Sequence, residues 1–212
     1  MRKLFPVFGL LALALIMAAP ASANPIGPNC GSCAGGIYTL TYNPTPVSST
    51  ATTTTFQVTL TVNTAGYNGT GVAIDNVAVK VSSTLTSTSL VSAPGGVSAW
   101  TLALINTGLS ANGCSGGGNG FQCVDATTGT PAPTPAGTYT WVFNLTMPTG
   151  SLITTPLGAS IKVRYVGRNG KMATLVSEDI DLQVPVPEPS SLALLGTGLV
   201  GVAGMIRRRL AK

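Results

Sequence analysis

The 212-residue chain contains no histidine. That absence removes Ser-His and Cys-His nucleophile pairs and every histidine-metal cluster. Charge is scarce as well, at 8% of residues, with 11 Lys and Arg against 6 Asp and Glu. Arg2, Lys3, Arg207, Arg208, Arg209, Lys212 and Glu188 lie in the end segments. Between Asn24 and Val186 the bases Lys80, Lys162, Arg164, Arg168 and Lys171 balance the acids Asp75, Asp125, Glu178, Asp179 and Asp181. The net charge of +5 therefore belongs to the ends, and no nucleic-acid partner is implied. With so few charges, solubility must come from hydroxyls and amides, which Ser, Thr and Gly-rich stretches supply.

Helical periodicity is also missing between Asn24 and Val186; what recurs there is a period of two. Ile37–Tyr42 places Tyr38, Leu40 and Tyr42 on one side, and Phe56–Asn63 places Phe56, Val58, Leu60 and Val62 on one side. The parity of Val72–Val81 changes at Asp75-Asn76, which predicts a bulge. Leu85–Val91 reads as a short strand, and Trp100–Asn106 as another with Trp100, Leu102 and Leu104 together. Thr107–Pro135, with Gly116-Gly117-Gly118 and several prolines, reads as a long irregular loop. Thr138–Met147 is the clearest strand, with Tyr139, Trp141, Phe143, Leu145 and Met147 on one face. Ser160–Val166 and Met172–Val184 form a hairpin around Asn169-Gly170. Seven or eight short strands with polar turns predict an all-β fold, a single antiparallel sandwich of jelly-roll or immunoglobulin-like order.

Four cysteines can form two disulfides in an oxidising compartment, and three pairings are open. Local pairing, Cys30 with Cys33 and Cys114 with Cys123, is preferred because each pair shares a Gly-rich stretch. Lys162, Arg164, Arg168 and Lys171 form one basic cluster, read as the wet side of an edge or outer strand and as a possible contact for acidic polysaccharide. Glu178 and Asp179 point to opposite faces of a strand, and Asp179 shares a face with Asp181. They read as a solvated edge that discourages strand addition, with a calcium site at Asp179 and Asp181 as the alternative. Trp100, Tyr139, Trp141 and Phe143 read as core. The Ser48–Thr55 tract reads as an edge linker or a glycan carrier. No catalytic residues, metal or cofactor are assigned, and the chain is expected not to be an enzyme.

Both ends read as addresses. Arg2 and Lys3 precede the apolar Leu4–Ala19, and Ala21-Ser22-Ala23 follows. That is a secretory signal peptide over 1–23, cut after Ala23 by signal peptidase. At the other end, Pro187-Glu188-Pro189 is followed by a helix over 190–206 and by Arg207, Arg208 and Arg209 in a basic tail, 207–212. Proline ends the folded part, the apolar run is near the lower length for a membrane span, and the arginines stop translocation. This tripartite segment, 186–212, resembles the PEP-CTERM sorting signal of Gram-negative bacteria that make exopolysaccharide. The resemblance implies processing near Pro187, Glu188 and Pro189 by a membrane-embedded exosortase. It also implies passage through the inner membrane to the cell surface or extracellular matrix, in association with exopolysaccharide and biofilm. The domain over 24–185 is expected to act there as a structural or interaction protein, with a carbohydrate-binding module as the alternative and a small glycan-acting enzyme as the third reading.

Overall fold

The structure, a computed structural model, describes residues 25–127, 132–135 and 137–183. These lie in one compact unit, Asn24–Pro185. The strands are β1 (Ile37–Tyr42), β2 (Ser48–Ser49), β3 (Thr53–Asn63), β4 (Ala73–Lys80), β5 (Ser87–Ser92), β6 (Trp100–Leu102) and β7 (Thr107–Ser110). They continue as β8 (Gly113–Gly117), β9 (Phe121–Ala126), β10 (Ala132–Pro133), β11 (Thr138–Pro148), β12 (Ala159–Val166), β13 (Met172–Ile180) and β14 (Leu182–Gln183). The first sheet has the order β14-β1-β3-β11-β5, with β2 also on β3. The second has the order β13-β12-β4-β9-β6, with β10 also on β4. A hairpin of β7 and β8 forms a separate pair. The fold is all-β, as the alternation predicts.

The period of two explains the layering. Val58, Leu60 and Val62 of β3 and Trp141, Phe143 and Leu145 of β11 are fully buried, and they meet Val77, Val79, Ile161 and Val163 from the other sheet. At roughly 1.5–3 kcal/mol for each fully buried large apolar side chain, these alternating positions are the main drive for stacking the sheets. Trp100 meets Trp141 edge-on, ring centroids 5.3 Å apart, and donates its indole N–H to the Pro94 carbonyl at 2.7 Å. Two tyrosines tie the sheets at one end. The Tyr38 and Tyr165 hydroxyls are 2.7 Å apart, and Tyr67 stacks on Tyr165 at 4.2 Å. Tyr38 can donate to the Cys33 carbonyl at 3.2 Å, which leaves Tyr165 to donate to Tyr38. Burial pushes the Tyr38 hydroxyl up to about 12 and raises Tyr165 too, so both remain neutral hydrogen-bonding groups.

Four sequence expectations change. Thr107–Pro135 contains β7, β8, β9 and β10 and is not a structureless loop; its Gly-rich strands lack the side-chain alternation that would mark them. Gly116-Gly117, read as part of that irregular loop, belongs to β8, where Gly108 and Gly116 pair across the hairpin. The β6 strand stops at Leu102, and Leu104 is 84% exposed because the chain leaves the sheet before reaching it. Ser48-Ser49 pairs with Thr54-Thr55 as a strand, not a linker. One pair departs from antiparallel order: β14 runs parallel to β1, with Leu40 opposite Leu182.

The bulge in β4 lies where the parity change predicts it. Arg164 pairs with Asn76 and the next residue, Tyr165, pairs with Ile74, so Asp75 is the extra residue. Ile74 and Val77 both point inward as a result, and Asp75 and Asn76 are brought beside the same residue of β12.

Candidate functional site

The outer face of the second sheet carries most of the domain's charge and is partly roofed. β7 and β8 fold across it, and Cys114 of β8 is bonded to Cys123 of β9 beneath. Leu109, Ala78, Phe121 and Cys123 form a small second core under this roof. Lys162 points along it, its ammonium 5.0 Å from the Phe121 ring centre and 3.4 Å from the Leu109 carbonyl it donates to. Lys80 approaches the same ring at 5.7 Å. The aliphatic stems thus cover apolar surface while the charges rest on a ring face.

Beside this core the bulge builds a polar network. Arg164 Nη1 donates to Asp75 Oδ2 at 2.9 Å and to Asn76 Oδ1 at 2.8 Å, and Asn76 Nδ2 donates to Asp125 Oδ1 at 2.8 Å. The Arg164 side chain is only 13% exposed and that of Asp75 22%. The pair uses one guanidinium nitrogen, while Arg164 Nε and Asp75 Oδ1 are buried without partners among the described residues. A single contact offsets less of the burial cost than a two-pronged one would. Burial accordingly pushes Asp75 up to about 6, against the pull of Arg164 and with a further push from Asp125. This network locks β12, β4 and β9 together.

The second local disulfide shapes an edge. Cys30 is bonded to Cys33, and the turn between them presents Ser32 to β13, the outermost strand of the second sheet. Ser32 N–H and Oγ–H both donate to Glu178 Oε1, at 2.9 and 2.6 Å, and Ser32 Oγ accepts the Ser177 N–H at 3.1 Å. A disulfide-closed turn therefore fills part of the ladder that a further strand would occupy.

Lys162 and Arg164 are consequently not on a solvated edge. β12 lies between β13 and β4, and the hairpin and the Asp75 bulge engage both side chains. Alternation predicts that they point away from the main core, which they do, but not that something covers that side. Arg168 and Lys171 stand exposed in the β12–β13 turn. The four bases thus divide into two engaged and two exposed. Glu178 is likewise bound by Ser32 and is not a free edge charge; Asp179 accepts from Ser160 Oγ at 2.7 Å and Asp181 accepts from Leu157 N–H. Asp179 and Asp181, a calcium pair in the alternative reading, thus serve separate partners. Sequence alone assigns no role to Ser32 or Phe121 and places Asn76 only at the bulge. Ser32 lies 146 positions from Glu178, and no local pattern announces such a contact. The expected signal peptide with Ala21 and Ala23, the expected helix over 190–206, Pro187, Glu188, Pro189 and Arg207–Arg209 lie outside the described residues. Among the described residues no helix is long and apolar enough to cross a membrane.

Comparison with known proteins places weight on the C-terminus. An uncharacterized protein from Nocardia farcinica, whose crystal structure reveals an immunoglobulin-like fold, is 16% identical over 65% of this chain and 81% of that one, with a TM-score of 0.38. No curated protein matches the chain. Residues 185–209 match the PEP-CTERM protein-sorting motif. The chain therefore carries, near its C-terminus, a segment that matches the PEP-CTERM protein-sorting motif, and that motif supports export to the cell envelope and sorting by way of an exosortase.

Proposed function

We propose that the chain delivers a non-catalytic β-sandwich to the cell surface or extracellular matrix, where it associates with exopolysaccharide. Signal peptidase removes 1–23, the helix over 190–206 holds the protein transiently in the inner membrane, and the exosortase processes it near Pro187-Glu188-Pro189. The observation that carries this reading is the sorting match over 185–209, which begins just after β14 ends at Gln183. A non-catalytic role is supported by the lack of histidine and by the engagement of Asp75, Asp125, Glu178, Asp179 and Asp181 in bonds within the domain. Intact-mass analysis of the protein from membranes and medium, in an exosortase-positive strain and its deletion, tests the reading. A C-terminus shortened near Pro187 only in the positive strain is expected; the same full-length C-terminus in both would overturn it.

A further inference from the structure

Charge is divided between the two sheets without overlap. β1, β2, β3, β5, β11 and β14 contain no Asp, Glu, Lys or Arg, and every charged residue described lies in the strands or turns of the second sheet or at Asp181 between the two. Most outward positions of the first sheet carry hydroxyls and amides in cross-strand rows, with Val142 beside Thr59 and the exposed Val91 of β5 as apolar breaks. Thr39, Thr61 and Thr140 stand side by side on β1, β3 and β11. Gln57, Asn144 and Ser89 form another row, and Thr55 and Thr146 a third that Ser48 and Ser87 extend.

These rows differ in how they spend their hydrogen bonds. In the third, Ser48 Oγ donates to Thr55 Oγ1 at 3.0 Å and the Thr55 and Thr146 hydroxyls are 2.8 Å apart, so its groups satisfy one another. Thr39, Thr59, Thr61 and Thr140 make no side-chain hydrogen bond among the described residues. Their hydroxyls repeat at about 4.8 Å across strands and about 6.7 Å along each strand. Each can donate one bond and accept two.

We propose that this outer face of the first sheet is a binding surface for a neutral polysaccharide. An uncharged grid of free hydroxyls offers nothing to a phosphate or carboxylate polymer, whose affinity comes from paired charge and falls with salt. It suits a ligand that is itself an uncharged repeat of hydroxyls. Single contacts of this kind are weak, and a long chain crossing several rows gains by engaging them together. The basic turn at Arg168 and Lys171 belongs to the other sheet and plays no part, which moves the glycan contact away from the place the sequence suggested. The inference rests on the surface-protein reading only for where the glycan is met.

Affinity electrophoresis of the full chain tests it, in native gels containing hydroxyethylcellulose, dextran or polygalacturonate. The expected result is retardation by at least one of the two neutral polymers, unchanged on raising the salt. The double variant Thr61→Val, Thr140→Val keeps the branched shape and removes two hydroxyls, and it should weaken that retardation at least fivefold with an unchanged thermal midpoint. Arg168→Ala with Lys171→Ala should leave it as it was. No retardation by either neutral polymer would overturn the proposal. Equal retardation of the valine variant, or retardation in polygalacturonate alone that the Arg168 and Lys171 changes abolish, would do the same. So would a concentration-dependent dimer that the valine variant loses, since the face would then bind a second copy. A failure here leaves the C-terminal mass intact, and a failure of sorting leaves mobility unchanged, so the two readings fail separately.

Discussion

Breaking the Cys114–Cys123 bond should loosen the roof over the second sheet, and the cost can be worked from the chain. The two residues are 9 apart in sequence, and closing a loop of that size removes enough unfolded-state freedom to contribute about 2.5 kcal/mol at 25 °C. The pair Cys30–Cys33, 3 apart, contributes about 1.5 kcal/mol by the same reasoning. For a domain of this size, each kcal/mol moves the thermal midpoint by about 2–4 °C. Cys114→Ala with Cys123→Ala should therefore lower the midpoint by about 5–10 °C, measured by circular dichroism at fixed scan rate. Cys123 is fully buried in the small core with Leu109 and Phe121, so lost packing adds to that value. Amide exchange should rise first in β7 and β8, whose remaining ties to the sheet are few, while β3 and β11 stay protected. An unchanged midpoint together with unchanged exchange in the hairpin would refute the staple argument. So would a smaller loss than the Cys30–Cys33 double variant shows.

Asp75, pushed up to about 6, binds its proton more tightly folded than unfolded. Its contribution favours the fold most below the unfolded value of about 3.9 and is lost as pH rises through about 6, a change on the order of 3 kcal/mol at most. Asp75→Asn keeps an acceptor for Arg164 and should flatten the fall in stability between pH 4 and 6, read from urea unfolding at several pH values; parallel curves for both proteins would contradict this. Ser32→Ala removes one donated and one accepted hydroxyl bond at the β13 edge, leaving the backbone N–H bond to Glu178, and should cost about 1–2 kcal/mol. The same variant should self-associate more at high concentration by light scattering, because the edge is less blocked. Leu104→Asp should shift stability by under about 0.5 kcal/mol, whereas Leu109→Ala, at a position 2% exposed, should cost about 2–4 kcal/mol. Equal effects at the two positions would place the core boundary elsewhere.

Much of the fold was legible because a strand repeats every two residues. Phe56–Asn63 and Thr138–Met147 show their buried faces in plain alternation, and the parity change in Val72–Val81 locates the bulge at Asp75. β7 and β8 were not legible, since a Gly-rich strand has no side chains to alternate. Leu104 was misplaced because parity continues past the point where the chain leaves the sheet.

The sequence by itself determined the C-terminal sorting motif and the strand faces of the sandwich, and it favoured the local disulfide partners. Each is written in neighbouring residues, whose spacing carries the physics. Only the tertiary structure decided what covers those faces. A period of two states that Lys162, Arg164 and Thr61 all point away from the core. It does not state that a stapled hairpin and the Asp75 bulge engage the first two and that the hydroxyl of the third finds no partner among the described residues. The Ser32–Glu178 seal and the parallel pairing of β14 with β1 are of the same kind. They join residues far apart in the chain, and it is the closing of the sandwich that brings them together.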